Sequence, residues 1–293
     1  MIYLIIVSLI WAFSFGINKV YLSDLDSFFV ATMRLALALL IFAPFFRLNG
    51  LSRANLIRLV ILGSIQYGLM YQAYTYCFSI LKAYEAALFT IFTPLYIVAF
   101  NDVVQKRWSP RTLLCALVAV VGAGIIQYSP ANPFQLWKAF LLMQLANTAF
   151  AMGQVYYKHW KMAHQELQPQ TIFAAVYLGA FLFSLMVSGL LTDWSELSLK
   201  PSHYGALLYL GVGASGLGLF FWNIGATKTN TGTLAVLNNL VVPMAVVISL
   251  LFFREATTLS QDAWLRFGFG TSLILLALVA NEKWALRKRI KIK

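Results

Sequence analysis

The chain is a series of long hydrophobic runs, each ended by charged residues, Pro or Asn. A helix needs about 20 mostly apolar residues to cross the hydrocarbon layer of a membrane. The runs have this length, and the pattern therefore predicts ten membrane-spanning helices whose ends are placed to within about two to four residues. The predicted spans are 2–22, 27–46, 55–80, 84–103, 110–128, 135–160, 170–192, 203–226, 231–253 and 263–281.

The composition supports a membrane protein. Of the 293 residues, 60% are hydrophobic and only 11% are charged, whereas about 25% charged residues are usual in a soluble domain. A water-soluble core cannot hide so much apolar surface. Ten spans of about 20 residues also leave no room for a soluble domain. We therefore expect membrane lipids to surround the chain.

The positive charges predict how the spans are oriented. The formal net charge is +12, but Lys and Arg lie between apolar runs and cluster only at 283–293, a pattern that does not suggest nucleic-acid binding. If the N-terminus is cytoplasmic, 15 of the 22 Lys and Arg residues face the cytoplasm and 5 face the other side. Cytoplasmic loops carry an excess of positive charge. Both termini are therefore predicted to be cytoplasmic.

The ten spans divide into two halves of five. Because five is odd, a duplicated half would insert with the opposite orientation, as in many secondary transporters. We expect a first repeat at 1–132, a second at 133–282 and a basic cytoplasmic tail at 283–293. A shift of 149 residues superimposes Pro94 on Pro243, and a mid-helix Pro frees backbone carbonyls that need partners. The expected fold is an all-α integral membrane protein of ten transmembrane helices in a 5+5 inverted repeat.

Three runs resemble a known family: Trp11-Ala-Phe-Ser-Phe15, residues 84–96 and residues 232–243. They resemble the EamA-type branch of the drug/metabolite transporter superfamily, which implies a central cavity enclosed by the first four helices of each half. Further residues are similar to those of the YigM-type bacterial biotin transporters, and this resemblance implies roles in substrate binding for Tyr71 and Trp222. The residues that carry it are Arg34, Gln66, Met70, Tyr71, Glu85, Gln144, Leu145, Asn147, Trp222, Asn223, Asn238 and Asn239.

Arg34 is the strongest single indication of function. It lies about 10 Å into its predicted helix, where a charged side chain costs about 2.5–3.5 kcal/mol. One interpretation is that its guanidinium binds the carboxylate of an anionic substrate. The alternatives are that it extends to the outer interface or pairs permanently with Glu85. Glu85 is in turn either a proton-coupling group that is released when substrate binds Arg34, or a static partner.

Aromatic and amide side chains are the other candidates for the substrate site. Trp11, Phe15 and Asn18 share one face of the first helix, and Glu85 and Phe89 share one face of the fourth. Aromatic walls suit a flat ring, although such stripes also pack in cores. Membrane-buried amides need partners, which a substrate or a neighbouring helix can supply. The amide candidates are Gln66, Gln144, Asn147, Asn223 and Asn239.

These features predict a secondary transporter. An enzyme is not expected, because His159, His164 and His203 fall at helix ends or in connections and no catalytic or metal-binding set converges in the spans. We expect no cofactor. The resemblance favours biotin uptake across a bacterial inner membrane by a monomer or homodimer, with transport of amino acids or other small carboxylates as the alternative.

Overall fold

The protein is described by a computed structural model that covers residues 1–47, 51–81, 89–126, 137–252 and 261–290. Within these ranges the chain is helical and contains no β-strand. We number the helices α1 to α10 and treat a rod with an internal interruption as one helix. The helices are α1 (Ile2–Tyr21), α2 (Ser27–Phe42), α3 (Arg53–Gly63, Ser64–Leu69 and Met70–Ile80), α4 (Thr93–Gln105), α5 (Pro110–Ile126), α6 (Trp137–Ala163), α7 (Pro169–Leu191), α8 (Pro201–Leu208, Tyr209–Gly218 and Leu219–Lys228), α9 (Thr231–Asn238 and Val241–Phe252) and α10 (Gln261–Ile290).

Several rods have the length and composition of membrane spans. In the part of the chain that the structure describes, five are long and apolar enough to cross a membrane: Ser27–Phe45, Pro169–Leu191, Pro201–Lys228, Thr231–Ile248 and Gln261–Arg287. Large apolar side chains cover their outer faces, and Leu40, Leu190 and Leu251 are each more than half exposed. A surface of this kind suits lipid rather than water.

The helices follow the predicted spans to within a few residues in the described ranges, with two differences. First, α10 continues to Ile290, so the first part of the predicted tail at 283–293 is helical. Second, the predicted spans 84–103 and 231–253 are broken by turns at residues 91–92 and 239–240. The apolar pattern could not show these breaks because apolar residues continue on both sides of each turn.

Both breaks that the structure describes come just before a proline. A turn at 91–92 precedes Pro94 at the start of α4, and the turn at 239–240 precedes Pro243 in α9. Proline has no N–H to donate to the carbonyl four residues earlier, which favours such a break. The Thr93 hydroxyl supplies the missing donor for Pro94, at 2.8 Å from the freed carbonyl oxygen.

The middle of α3 and the middle of α8 are π-helical. The segments are Ser64–Leu69 in α3 and Tyr209–Gly218 in α8. A π-helical turn holds more residues than an α-helical turn and is often found at functional sites. In α8 the segment also packs closely on α2, because Gly211 and Gly216 have no side chain to separate the two helices.

Close glycine contacts join helices of the two halves. Gly63 of α3 lies against the backbone of Val176 in α7, and Gly179 of α7 lies equally close to the backbone of α3. Gly122 of α5 and Gly270 of α10 contact each other's backbone in the same way. An added methyl group at any of these four positions would collide with a backbone carbonyl, so the helices can pack this closely only with glycine.

The bundle has two ends, which we name by residues. The Asp24 end lies beyond the last residue of α1 and holds the start of α8, since Lys200 bonds to Asp24. The Asn101 end lies beside the start of α1, because Gly225 near the end of α8 packs on Leu4. α4 and α6 finish at this second end, where His159 meets Asn101.

Candidate functional site: a cavity around Arg34

A cavity of about 140 Å³ lies in the middle of the bundle, between α1, α2, α3, α4, α6, α8 and α9. This volume is close to that of an engineered cavity of about 150 Å³ that accepts benzene. Seven of the predicted site residues line it: Trp11, Phe15, Asn18, Arg34, Tyr71, Asn147 and Asn239. The other lining residues are Ser14, Met70, Tyr74, Thr90, Thr93, Ala146, Phe150, Leu219, Asn238, Val241 and Val242.

Arg34 is buried in the wall of the cavity and is only 5% exposed. Its Nε donates to Ser215 Oγ at 3.1 Å, and its Nη2 donates to the Tyr71 hydroxyl at 3.1 Å. Both partners are neutral, and no carboxylate among the described residues pairs with the guanidinium. Arginine carries five N–H donors, so three remain for a ligand. The interpretation that Arg34 extends to the membrane interface does not fit this position.

The π-helical segment of α8 fixes the partners of Arg34. Ser215 belongs to this segment, and its hydroxyl donates to the Tyr71 hydroxyl at 2.8 Å while it accepts from Arg34. The Tyr177 hydroxyl lies 2.8 Å from the carbonyl of Ser215 and 2.7 Å from that of Gly216. Because the Tyr71 oxygen accepts both bonds, its own hydrogen remains for a ligand.

The first helix presents one face to the cavity, as its spacing predicted. Trp11, Ser14, Phe15 and Asn18 all line the cavity. The Trp11 indole nitrogen donates to the carbonyl of Ala214 in the π-helical segment at 3.0 Å, which fixes the ring. This face therefore offers two aromatic rings and, nearer the Asp24 end, an amide.

The interrupted helices supply backbone carbonyls that amide side chains bind. The Asn147 amide donates to the Phe89 carbonyl at 2.8 Å, and Gln144 donates to the same carbonyl at 3.1 Å. Asn239 donates to the Ile91 carbonyl at 3.1 Å. These amides join helices, as one of the two interpretations held, and those of Asn147 and Asn239 also line the cavity.

Four predicted site residues do not line the cavity: Gln66, Phe89, Trp222 and Asn223. The Phe89 ring packs edge-on against Phe140, 5.1 Å away, and so belongs to the core. The other three are completely buried and lie deeper in the bundle. The sequence analysis assigned them to the site, but the type of a residue and the span that holds it do not show how far the residue lies from a cavity. Glu85 is outside the described residues.

Several residues of the site, which either line the cavity or bind Arg34, were not predicted. Ser215 binds Arg34 but reads in the sequence as one small residue among glycines, and only the π-helical geometry aims it at the guanidinium. Thr90 and Thr93 flank the break before Pro94, so a search for hydroxyls beside mid-helix prolines would have found them. Phe150 had a weaker signal, because many aromatic residues in this chain face lipid or the core.

The cavity is an electropositive, partly aromatic chamber. Arg34 is the one charged side chain among the described residues that line it. In the same ranges, no group of three or more His, Cys, Asp or Glu residues could hold a metal ion. Such a site can bind a small anion that carries a ring, and it has no group placed for covalent chemistry.

A membrane-sized helical bundle with broken helices around a central polar cavity is the architecture of a membrane carrier. The sequence model of the EamA-like transporter family matches residues 1–128 and 137–279. The chain belongs to this family. It is therefore a multi-pass inner-membrane transporter protein, and the prediction that it is not an enzyme is confirmed.

Three relatives are similar over nearly their whole length. The biotin transporter of Salmonella typhimurium is 38% identical over 283 residues, which cover 96% of this chain and 92% of the relative. The biotin transporter of Escherichia coli K12 is 38% identical over 285 residues, with the same coverage. The probable biotin transporter of Pseudomonas aeruginosa is 36% identical over 282 residues, which cover 96% of each chain.

A solved crystal structure supports the fold. It superimposes with a TM-score of 0.76 over 95% of each chain, at 16% sequence identity. At this identity the likeness bears on the fold alone.

Proposed function

We propose that the protein takes up biotin across a bacterial inner membrane by alternating access. Relatives that are 36–38% identical over 96% of the chain are biotin transporters or a probable one. These relatives favour biotin over the amino acids and other small carboxylates that the sequence left open. The cavity lies within one chain, so the proposal requires no second subunit.

The observation that carries the proposal is the buried charge of Arg34. A guanidinium whose described partners are two neutral hydroxyls keeps its full positive charge in a low-dielectric site. The carboxylate of biotin would neutralise this charge and accept hydrogen bonds from the remaining N–H groups of the guanidinium. Tyr71 would add its hydroxyl hydrogen, while Ser215 keeps the guanidinium in place.

The other cavity residues suit the remainder of the substrate. Trp11, Phe15 and Phe150 would pack on the apolar parts of the bicyclic ring and chain. Asn18, Asn147 and Asn239 would contribute amide groups from the wall of the cavity. Asn147 and Asn239 already donate to backbone carbonyls. Glu85 remains our proposed coupling group, which would take up a proton when substrate displaces it from Arg34.

We also propose that all ten rods cross the membrane as a 5+5 inverted repeat with both termini in the cytoplasm. The matching positions of the two π-helical segments and of the two proline breaks support this arrangement. The match of one family model to residues 1–128 and again to 137–279 supports repeats at 1–132 and 133–282. The charge distribution supports our proposal that the Asn101 end, with the tail at 283–293, is the cytoplasmic one.

Counterflow in proteoliposomes tests the proposed function. Purified protein is reconstituted, the vesicles are loaded with unlabelled biotin, and entry of labelled biotin is measured at low external concentration. We expect transient, saturable accumulation above the level in protein-free vesicles. Accumulation that unlabelled biotin inside the vesicles does not stimulate would contradict a biotin carrier, and stimulation by loaded amino acids alone would identify a different substrate.

A further inference from the structure

A cluster of buried amides lies about one helical turn deeper than the cavity, toward the Asn101 end. Gln154 is four residues beyond the cavity residue Phe150 in α6, and Asn223 is four residues beyond Leu219 in α8, about 6 Å in each case. Gln66 precedes Tyr71 by five residues in α3, which runs the other way. Three helices thus place amides at the same depth below the cavity floor.

Shared neighbours link these three amide side chains. The Gln66 side chain packs on the backbone of Gly153, next to Gln154. Gln66 and Gln154 bond to consecutive residues of α8: the Gln66 amide donates to Asn223 at 3.5 Å, and Gln154 accepts from the Trp222 indole at 3.0 Å. All four side chains are completely buried.

The hydrogen bonds determine which terminal atom of each side-chain amide is the oxygen and which is the nitrogen. The Trp222 indole can only donate, so the Gln154 atom that it meets is the oxygen and the Nε2 points away. The Asn223 Nδ2 donates to the Leu219 carbonyl, so its oxygen faces Gln66, which must offer its Nε2. Flipping either glutamine would therefore break a bond.

With these orientations, one acceptor and one donor are left unpaired. Gln66 Oε1 and Gln154 Nε2 are buried and have no hydrogen-bond partner. An unpaired buried polar atom is destabilising, so two in one cluster indicate a ligand that the cluster is built to receive. To satisfy both atoms, the ligand must present a donor and an acceptor.

We propose that Gln66 and Gln154 form a head-group subsite that binds the cyclic urea of the substrate during transport. A urea N–H would donate to Gln66 Oε1, and the urea carbonyl would accept from Gln154 Nε2. This inference rests on the proposed function and adds the binding of the ring to the binding of the carboxylate by Arg34. It also assigns a role to Gln154, which the sequence did not single out.

Trp11 separates the subsite from the cavity. Its ring lines the cavity on one side and lies 4.8 Å from the Trp222 ring on the other. A change of its rotamer, with loss of its bond to Ala214, would open a path from the cavity to the subsite. The urea would then enter the subsite as the Asn101 end opens.

The test compares biotin at neutral pH with 2-iminobiotin, in which a protonated guanidine replaces the urea, so that a positively charged donor replaces the carbonyl acceptor. Binding of both ligands to purified protein is measured for the wild type, Gln154→Glu and Gln154→Met. We expect the wild type to prefer biotin by about tenfold or more. Gln154→Glu, which offers a charged acceptor in place of the donor, should reduce or reverse this preference by about tenfold, and Gln154→Met, which removes the donor without adding an acceptor, should reduce it by less.

Gln72→Glu is the matched control. Like Gln66, Gln72 is a buried glutamine of α3 with an unpaired Oε1. Unlike the subsite residues, it bonds to Thr32 and Ser184, and it does not line the cavity. Its substitution should leave the preference unchanged. Because the preference is a ratio within one variant, a lower yield of folded protein does not alter it.

The outcomes separate the subsite from the proposed function. A wild-type protein that binds biotin, with a preference that both Gln154 variants leave unchanged, would overturn the subsite alone and would leave a bound water as the occupant of the cluster. A wild-type protein that does not bind biotin would overturn both.

Discussion

The two ends of the bundle are held together by different kinds of contact. At the Asp24 end, Lys200 Nζ lies 2.5 Å from a carboxylate oxygen of Asp24, and the two side chains are 63% and 46% exposed. His203 Nε2 lies 3.2 Å from the other oxygen. His203 is itself buried, but an exposed ion pair such as that of Lys200 with Asp24 contributes little to stability.

At the Asn101 end, one side chain of each corresponding contact is buried. The Asn101 oxygen accepts from Thr231 at 2.9 Å and lies 3.2 Å from His159 Nε2. Lys158 Nζ donates to the Thr229 carbonyl at 2.6 Å. Asn101 and Lys158 are 5% and 7% exposed, so breaking these bonds leaves polar groups in a dry interior.

The difference explains where the cavity lies. Its residue Asn18 is within a turn of the end of α1, whereas about 14 Å of packed helix separate Trp11 from the start of α1 at the Asn101 end. The structure thus corresponds to the state in which the proposed carrier would receive substrate at the Asp24 end. In alternating access, opening the Asn101 end would be the costly step.

Asn101→Ala should have the largest effect on this comparison. It removes an acceptor shared by α4, α6 and α9 and leaves partly buried donors unpaired, which we expect to cost about 1–3 kcal/mol. Thermal unfolding in detergent measures the loss. Asn55→Ala, at the exposed start of α3, is the control and should change the midpoint little. Equal shifts for both variants would mean that the Asn101 end is not held by these bonds.

Lys158→Met should have an intermediate effect. The substitution loses the bond to Thr229 but also removes a buried charge that is costly to desolvate, so we expect a net loss of about 1 kcal/mol. Amide hydrogen exchange at residues 229–233 should then be about fivefold faster. Lys161→Met is the matched control, because Lys161 bonds only to nearby carbonyls, those of His164 and Gln165. Unchanged exchange in Lys158→Met would contradict a role in closing this end.

Asp24→Asn should have the smallest effect. The hydrogen bond from Lys200 holds the pKa of Asp24 below its ordinary value of 3.8. A lowered carboxyl pKa contributes stability at neutral pH that is lost as the pH falls through the pKa of the folded state. The variant should therefore melt slightly earlier than the wild type at pH 7, and the difference should shrink as the pH falls below 3.8. A larger loss than that of Asn101→Ala at pH 7 would reverse the comparison.

Helical spacing located much of the site in advance. Trp11, Phe15 and Asn18 were placed on one face by their spacing, and that face lines the cavity because α1 has no interruption. Arg34 was identified as a candidate because a charged side chain inside a membrane span is costly. Spacing fails where a helix changes its pitch: the contact of Ser215 with Arg34 depends on the π-helical segment.

Depth and pairing could not be predicted from the sequence. Gln66, Trp222 and Asn223 were assigned to the site by type, yet they lie about a turn beyond the cavity wall. Their position depends on how three helices from two halves meet, which is a long-range property. Hydropathy located the spans, but the break in α9 required knowledge of its proline and of the carbonyls around it.

The most direct test of the central claim, that Arg34 binds the substrate carboxylate, is a comparison of biotin with its uncharged carboxamide. Affinity for both ligands is measured with the purified wild type, Arg34→Gln and the control Arg58→Gln on the exposed start of α3. We expect the wild type and the control to prefer biotin by about tenfold or more, since a charge-assisted pair contributes about 1.5–3 kcal/mol. Arg34→Gln should lose this preference, and an unchanged preference in that variant would contradict the account.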